Sequence, residues 1–280
     1  MPSLDQSKGA VTATRSERMS RSSLSRALWL RVARSAGPIV LLIAVVVAWH
    51  FSIDLFNISN LVLPRPADVL SALVEGFTSG DYTRHTLITL FETLVGFAIG
   101  AGAGLLVGFL VGEFAILRRL LYPYVVAFQA VPKLAIAPLF VIWLGFGMPS
   151  KIVITATLAF FPVVANTVTG LAALDDKTHE MMTAFGASRM QILRRARMRV
   201  AAPYIFTAFD VAMMLSIIGA IVAEFIGSSS GLGYLIMQAQ YRLDVARVFA
   251  VLIVLSVMGI VLHWVVEWLH HKIVFWQPQE

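Results

Sequence analysis

The sequence predicts an all-α membrane protein whose chain crosses the bilayer six times. Of its 280 residues, 58% are hydrophobic and only 14% are charged, and the mean hydropathy is +0.80. Soluble domains are about half apolar and about a quarter charged. The apolar residues form runs of about twenty, which is the length that an α-helix needs to cross a bilayer. A transmembrane barrel would instead show short alternating segments.

The elements follow in chain order. Residues 1–36 are rich in serine and arginine and too poor in apolar residues for a packed core, so we expect a disordered or surface-lying tail. The transmembrane domain is predicted over residues 37–270, and a C-terminal tail over 271–280. The six spans are predicted at about 38–56, 86–112, 122–145, 150–174, 201–226 and 246–269. A short amphipathic helix is expected to start near Pro66, before the second span.

Lysine and arginine are concentrated in alternate segments between the spans. The N-terminal tail and the loops after the second and fourth spans carry most of them, whereas the opposite loops carry fewer, partly balanced by acidic residues. Short loops rich in lysine and arginine stay in the cytoplasm. Both termini and the loop after the fourth span are therefore predicted to be cytoplasmic.

The loop after the fourth span, residues 175–203, is unusually polar for a segment between two spans. Asp175 and Asp176 suit the positive N-terminal end of a helix, and Gly186 with Ser188 can divide the segment into two arms. The second arm carries five arginines: Arg189, Arg194, Arg195, Arg197 and Arg199. Such a helix can dock into a cleft of a partner protein. The alternative is a charged loop that lies at anionic lipid headgroups.

The third span contains two prolines, Pro132 and Pro138, each of which removes a backbone donor and disrupts a helix. Irregular backbone at membrane depth is tolerated where it meets protein or a water-filled cavity, so this span is the predicted wall of a pathway. Lys133 lies between the prolines. It either attracts an anionic substrate or reaches the interface from a shallow position.

Glu224 closes the fifth span, just before the turn GSSSGLG at 227–233. We expect an interfacial carboxylate that orders this turn; the alternative is a gate residue that pairs with a lysine or arginine across the pathway. The turn contains Ser228, Ser229 and Ser230. It suits an external gate or a docking surface for a binding protein, and a plain connector is the competing interpretation.

Glycines recur at every fourth position of the second span: Gly96, Gly100, Gly104, Gly108 and Gly112. They place a smooth stripe on one helix face, which allows the backbone of another helix to approach closely. We expect this stripe to serve packing within the chain rather than dimerisation.

Several functional classes find no support in the sequence. There is no cysteine, which excludes disulfides and thiolate metal sites. The histidines show no metal-ligand spacing such as HExxH, and we expect no metal site and no enzyme activity. No GxxxxGK[ST] phosphate loop is present, so any ATPase must be another polypeptide. The net charge is +6, but the sequence contains no soluble basic domain that could bind nucleic acid.

Four segments carry a resemblance to a known family. Glu180, Gly186 and the phrase GASRMQILRR resemble the EAA loop of ABC importer permeases. LPRPADVL (63–70), QAVPKLAIAPLFVIWLGFG (129–147) and VAEFIGSSSGLGYLI (222–236) resemble the nitrate/sulfonate/taurine group of those permeases. The chain departs from the pattern at Met181 and Met182, where the family has alanines, and at Met198 and Arg199, where it has Leu-Pro. Pro203 is expected to end the loop instead.

The resemblance implies an ABC importer permease (MetI-like) fold in a bacterial inner membrane. It implies a dimer with a second permease copy, two ATPase subunits that hold ATP and Mg, and a periplasmic or extracellular solute-binding protein; the chain itself would carry no cofactor. The implied ATPase-coupling residues are Glu180, Gly186, Ala187, Ser188, Arg189, Arg194 and Arg195. The implied solute is a small polar anion like a sulfonate, taurine or nitrate, with a pyrimidine vitamin precursor or riboflavin as alternatives. An ATP-independent secondary transporter or channel is the alternative from another class.

Overall fold

The computed structural model describes residues 37–276, whose regular structure is entirely helical. The predicted N-terminal tail, residues 1–36, lies outside the described residues, as do residues 277–280. The chain divides after Pro66 into two compact units. The first contains α1 (Gly37–Leu55), followed by turns in which Arg65 and Asp54 form an exposed ion pair with a 2.8 Å separation of Nη2 and Oδ1.

The remaining helices belong to the second unit and are connected by short turns. They are α2 (Pro66–Thr78), α3 (Asp81–Glu113), α4 (Ala115–Ala130), a 3-10 turn (Lys133–Ile136), α5 (Ala137–Leu144), α6 (Met148–Ala172), α7 (Asp176–Ala184), α8 (Arg189–Ile192), a π turn (Leu193–Arg197), α9 (Met198–Gly227), α10 (Leu232–Tyr241) and α11 (Val245–Ile273). Among the described residues, five helices are long and apolar enough to cross a membrane, counting α8, the π turn and α9 as one helix of 39 residues. The predicted all-α membrane fold is confirmed.

Helices α3 and α6 run parallel, with their backbones in close contact. Glu92 pairs with Lys151 across a sequence separation of 59 residues, and the same offset recurs where Gly96 faces Thr155 and Gly112 faces Leu171. A methyl group on Gly100 would overlap the carbonyl of Ala156 on α6. The glycine stripe thus packs against a neighbouring helix of the same chain, as predicted.

This parallel arrangement determines what the segment between α3 and α6 must do. Residues 114–147 have to return from the end of the bundle where α3 finishes to the end where α6 starts. Val125 on α4 packs in a cluster with Val111 and Val168 near the first end. Val141 on α5 packs with Ile154 near the other. Helices α4 and α5 therefore form the predicted third span, bent by 83° at its break.

Helix α9 packs antiparallel to α6 and completes the core. Gly170 of α6 faces Ala201, while Thr155, at the other end of α6, faces Gly219. A cluster of small buried residues joins α3, α6 and α9: Ala101, Ala159, Val163, Ala208 and Ala212. Small side chains let the three backbones approach closely, as is common between membrane helices.

Several helices extend beyond the predicted spans; α4, for example, begins at Ala115, seven residues before the predicted third span. Helix α3 begins at Asp81, five residues before the predicted second span, because Gly80 takes a left-handed conformation (φ 79°) that separates it from α2. Helix α11 continues to Ile273, so the predicted C-terminal tail of 271–280 starts inside a helix. The apolar content of the sequence located the spans, whereas the exact ends of the helices are set by polar residues and could be seen only in the backbone of the structure.

The glycine stripe predicts that two neighbouring glycines respond differently to the same substitution. G100A should lower the free energy of unfolding by about 1–3 kcal/mol because the new methyl group meets the α6 backbone. G102A is the matched control: nothing lies within 4 Å of that methyl position, and alanine favours a helix by about 1 kcal/mol over glycine. Thermal unfolding in detergent would measure both. Equal unfolding midpoints would contradict the packing.

Candidate functional site

The polar loop after the fourth span forms a short helix that ends in a tight turn. Asp175 caps α7: its Oδ2 accepts a hydrogen bond from the Thr178 N–H at 2.8 Å, and this bond holds the pKa of Asp175 below its usual range. Gly186 ends the arm with φ 76°, a left-handed conformation that favours glycine. The predicted division of the segment at this glycine is therefore correct.

The second arm begins at Ser188 with a reciprocal cap. The Ser188 Oγ accepts from the Gln191 N–H at 3.3 Å, and the Ser188 N–H donates to the Gln191 Oε1 at 2.8 Å. These two bonds satisfy backbone and side-chain groups at the start of α8 in the manner of a capping box. The sharp turn and the rigid start of the second arm fix the angle between the two arms.

The second arm does not end before the membrane. It continues through a π turn into α9, giving one helix from Arg189 to Gly227. Pro203 lies inside α9, so the prediction that it ends the loop is wrong. The irregularity falls instead at Leu193–Arg197, and a π turn accommodates an extra residue without breaking the helix.

The arms present exposed side chains away from the bundle. Phe185 is 85% exposed at the tip, and Met181 and Met190 are exposed beside it. The predicted coupling residues Glu180, Arg189, Arg194 and Arg195 are exposed as well. Ala187 is half-buried in the turn. The exposed position of Phe185 was not predicted, although a large aromatic residue next to the turn glycine of a polar loop was an available signal.

The base of the second arm is attached to two spans. Leu193 is buried in a cluster with Leu171, at the end of α6, and with Ala201 and Ile205 of α9. Arg197 Nη1 lies 2.7 Å from Glu113 Oε2, at the end of α3. Displacement of the arm would therefore act on α3, α6 and α9 together.

The break in the third span borders a cavity of about 320 Å³. Lys133 lies at its edge, with Nζ 3.1 Å from the Gln129 carbonyl oxygen and 4.7 Å from the centre of the Phe161 ring. The other lining residues are mostly apolar: Pro132, Leu134, Leu158, Pro162 and Leu215. The cavity thus combines one cation with aromatic and aliphatic walls.

The two prolines of this span have different roles. The break occurs at Val131, where the backbone is extended, and at Pro132, which is likewise outside any helix. Pro138 lies in the first turn of α5, a position that proline tolerates because the first helical N–H groups have no intrahelical partner. The prediction that both prolines break the span is therefore wrong for Pro138.

At the end of the bundle opposite α7, Glu224 is 1% exposed. It lies three residues before the end of α9, and its contacts agree with the prediction that it orders the adjoining turn. Glu224 Oε1 accepts a hydrogen bond from the Thr89 hydroxyl at 2.7 Å, and Oε2 accepts from the Gly233 N–H at 2.5 Å. In the adjoining turn, the Ser228 Oγ accepts from the Ser230 N–H at 3.1 Å, while Ser229 is exposed.

A buried ion pair lies near Glu224. Lys151 Nζ is 2.7 Å from Glu92 Oε1, and both side chains are at least nine-tenths buried. Neither residue was singled out from the sequence. The signal was available, because an acidic residue inside an apolar span requires a partner. Lys151 could be recognised as that partner only from the packing of α3 against α6.

The Glu92–Lys151 pair predicts strongly non-additive substitutions. K151M should lower the free energy of unfolding by about 3–5 kcal/mol, because it leaves the Glu92 carboxylate buried without a counter-charge. The double variant E92Q/K151M should recover much of that loss, because no buried charge remains at the pair. Denaturation of the single and double variants in detergent would measure the coupling. Additive losses would show that the two groups do not interact.

Comparison with known proteins identifies the family. Residues 100–275 match the family model for the binding-protein-dependent transport system inner membrane component. The chain is 34% identical over 239 residues to SsuC of Bacillus subtilis, named for aliphatic sulfonates transport, covering 85% of this chain and 87% of that protein. It is 30% identical over 243 residues to the formylaminopyrimidine transport permease ThiX of Halalkalibacterium halodurans (87% and 96% covered). It is 31% identical over 255 residues to the riboflavin permease RibX of Chloroflexus aurantiacus (91% and 94%).

Two crystal forms of the MetNI methionine ABC transporter in inward facing conformations share the fold. Their TM-scores are 0.57 and 0.59 at 22% and 21% identity, covering 66% and 72% of this chain and 92% and 98% of theirs. At this identity the likeness concerns the fold alone. The family model matches more than half of the chain. This match agrees with the relatives and with the resemblance that the sequence motifs show. The chain therefore belongs to the binding-protein-dependent transport system inner membrane components, the permeases of ABC transporters.

Proposed function

We propose that this permease is driven by a separate ATPase, which docks onto the bent segment 176–199. The observation that carries the proposal is the continuity of the second arm with a membrane span, from Arg189 to Gly227. A rigid helix transmits a displacement along its length, whereas a flexible linker absorbs it. Its attachments through Leu193 and Arg197 would pass that displacement to the neighbouring spans.

The exposed surface of the two arms supports docking to a protein rather than to lipid headgroups alone. Phe185 is 85% exposed, with exposed methionines on both sides of the turn. Aromatic residues, methionine and arginine are enriched in protein interfaces. Glu180, Gly186, Ala187, Ser188, Arg189, Arg194 and Arg195 are the proposed coupling residues.

The proposed assembly follows from this docking site. Two ATPase subunits would bind ATP and Mg and meet two copies of this chain, and a solute-binding protein would deliver the solute at the opposite end. That arrangement places the arms and both termini in the cytoplasm of a bacterial cell with the permease in its inner membrane, in agreement with the lysine and arginine distribution. Closure of the ATPases on ATP would turn the spans so that the cavity opens outward, and hydrolysis would restore the inward-facing state.

The cavity beside Lys133 is the proposed solute pathway. One ammonium group among aromatic and aliphatic walls suits a small anion that carries an organic group, such as a sulfonate or taurine, better than nitrate. A pyrimidine vitamin precursor or riboflavin remains the alternative, since ThiX and RibX are named for such solutes. The external gate is proposed to consist of Glu224 and the turn that contains Ser228, Ser229 and Ser230. An ATP-independent transporter is the competing class, and it would have no use for an exposed coupling arm.

Substitutions in the first arm should separate ATP hydrolysis from uptake. E180K reverses a charge on the docking surface, and G186P forces a residue with φ near −65° into a turn that has φ 76°. Both variants should insert normally, while uptake per ATP hydrolysed falls at least about tenfold. D68K, which makes the same charge change on α2, is the control. Normal coupled uptake in both coupling variants would contradict the docking role.

Substitution of Lys133 should affect anionic solutes selectively. K133Q removes the cavity's ammonium group and should raise KM for an anionic solute about tenfold or more, with little effect on a neutral one. K272Q is the matched control, because Lys272 also lies over an aromatic ring, at 4.8 Å from Trp268, but outside this cavity. Transport in vesicles with the binding protein present would measure KM. The same KM for wild type and K133Q would remove Lys133 from the pathway.

A further inference from the structure

The N-terminus of α10 is capped by side chains from two distant helices. His85 Nδ1 on α3 accepts from the Gly231 N–H at 2.8 Å. Thr89 Oγ1, one turn further along α3, accepts from the Leu232 N–H at 2.8 Å. Glu224 of α9 accepts from the Gly233 N–H at 2.5 Å. The first N–H groups of a helix have no intrahelical partner, and here three consecutive ones are bound by side chains of α3 and α9.

These contacts form a connected set. The Thr89 hydroxyl donates to Glu224 Oε1 at 2.7 Å while accepting from Leu232. Tyr234 of α10 stacks on the His85 ring with centroids 5.9 Å apart. A side chain at Gly231 would overlap the Glu224 carboxylate, which explains why the backbone comes so close. Thr89 thus joins α3, α9 and α10 through one hydroxyl group.

The side chains of this set are almost completely buried. Thr89 is fully buried, Glu224 is 1% exposed and His85 is 8% exposed. Residues 231–233 are buried as well, and a buried N–H that loses its partner gains no replacement bond from solvent, so separation of α10 from these side chains is unfavourable. The capping bonds therefore hold α10 more firmly than the same bonds would at a surface.

Helix α10 is also bounded by two turns with unusual backbone conformations. Gly231 precedes it with φ 108°, and Leu243 follows it with φ 57°. A cavity of about 300 Å³ lies beside the helix and the serine turn, and its lining includes Glu224, Tyr234, Gln238 and Arg242. Hinges in proteins lie at a few loop or element-terminal residues that absorb backbone rotation, and both turns offer such positions. The ten-residue helix is thus a short rigid body between two joints, with open space beside it.

We propose that His85 and Thr89 are positioning residues which, with Glu224, form a latch that holds α10 closed, and that α10 swings with the serine turn as the external gate when the latch opens. Release of the three N–H groups is the opening step. The latch itself depends only on these contacts; its role in admitting solute rests on the function proposed above.

The latch is tested by the accessibility of the buried face of α10. The chain has no cysteine, so A239C introduces a single thiol at a position that is 1% exposed. In this background, T89V removes the hydroxyl and T89S retains it. T93V is the matched control, because Thr93 is equally buried one turn along α3 and its hydroxyl has no hydrogen-bond partner among the described residues. Alkylation by N-ethylmaleimide would be timed in membranes.

T89V should raise the alkylation rate about tenfold, corresponding to the loss of one or two buried hydrogen bonds, while T89S and T93V should match the A239C parent. Equal rates in T89V and T93V would overturn the latch. A rise in T89S as large as in T89V would also overturn it, because the hydroxyl would then be irrelevant.

The gate is tested in the A239C transporter assembled with its ATPase. Alkylation should be faster in a state trapped with ATP and vanadate than in the nucleotide-free state. Equal rates in the two states would show that α10 is a fixed anchor and would overturn the gate. Failure of the proposed function itself is recognised separately, because then no ATPase accompanies the chain while the contrast between T89V and T93V persists.

Discussion

The backbone contact between α3 and α6 is the constraint on which the rest of the structure depends. The glycine stripe brings the two helices together in parallel at a constant offset of 59 residues. Because they are parallel, the intervening chain must cross the bundle, and it does so as the broken span that carries Lys133. The same contact brings Glu92 to Lys151 and places Thr89 beside the end of α9. A change in this contact would therefore disturb the cavity, the ion pair and the latch together.

The two ends of the bundle differ in how they are held. At one end, a bent polar segment projects from the spans and is attached through Arg197 and Leu193, with its tip exposed. At the other, α10 is bound through its backbone N–H groups to buried side chains. The first arrangement suits the reception of force from a partner, and the second suits a closed gate that opens when α3 and α9 shift. Continuous helices connect the two ends, so a displacement at one can reach the other.

The sequence predicted the features that depend on local composition. Apolar length located the spans, Gly186 marked the turn between the arms, and the glycine repeat indicated close packing. Features that depend on contacts between distant residues were missed or misplaced. Glu224 was expected to order the turn that follows it, which its bond with the Gly233 N–H supports, but its burial against Thr89 of α3 was not predicted. Pro203 was expected to end the loop, but it lies inside α9, and the irregular turn lies upstream of it at Leu193–Arg197. Glu92 was overlooked, although an acidic residue inside an apolar span is unusual, and only packing could reveal Lys151 as its partner.

The central claim is that the bent segment receives force from an ATPase on the cytoplasmic side. The most direct measurement uses F185C, which places a single thiol on the 85% exposed tip of the segment. In membranes containing the assembled transporter, a thiol-reactive cross-linker should join this position to a co-purifying ATPase. A membrane-impermeant maleimide should label the thiol in inverted vesicles and not in intact cells. The absence of any ATPase adduct, or labelling from outside intact cells, would contradict the account.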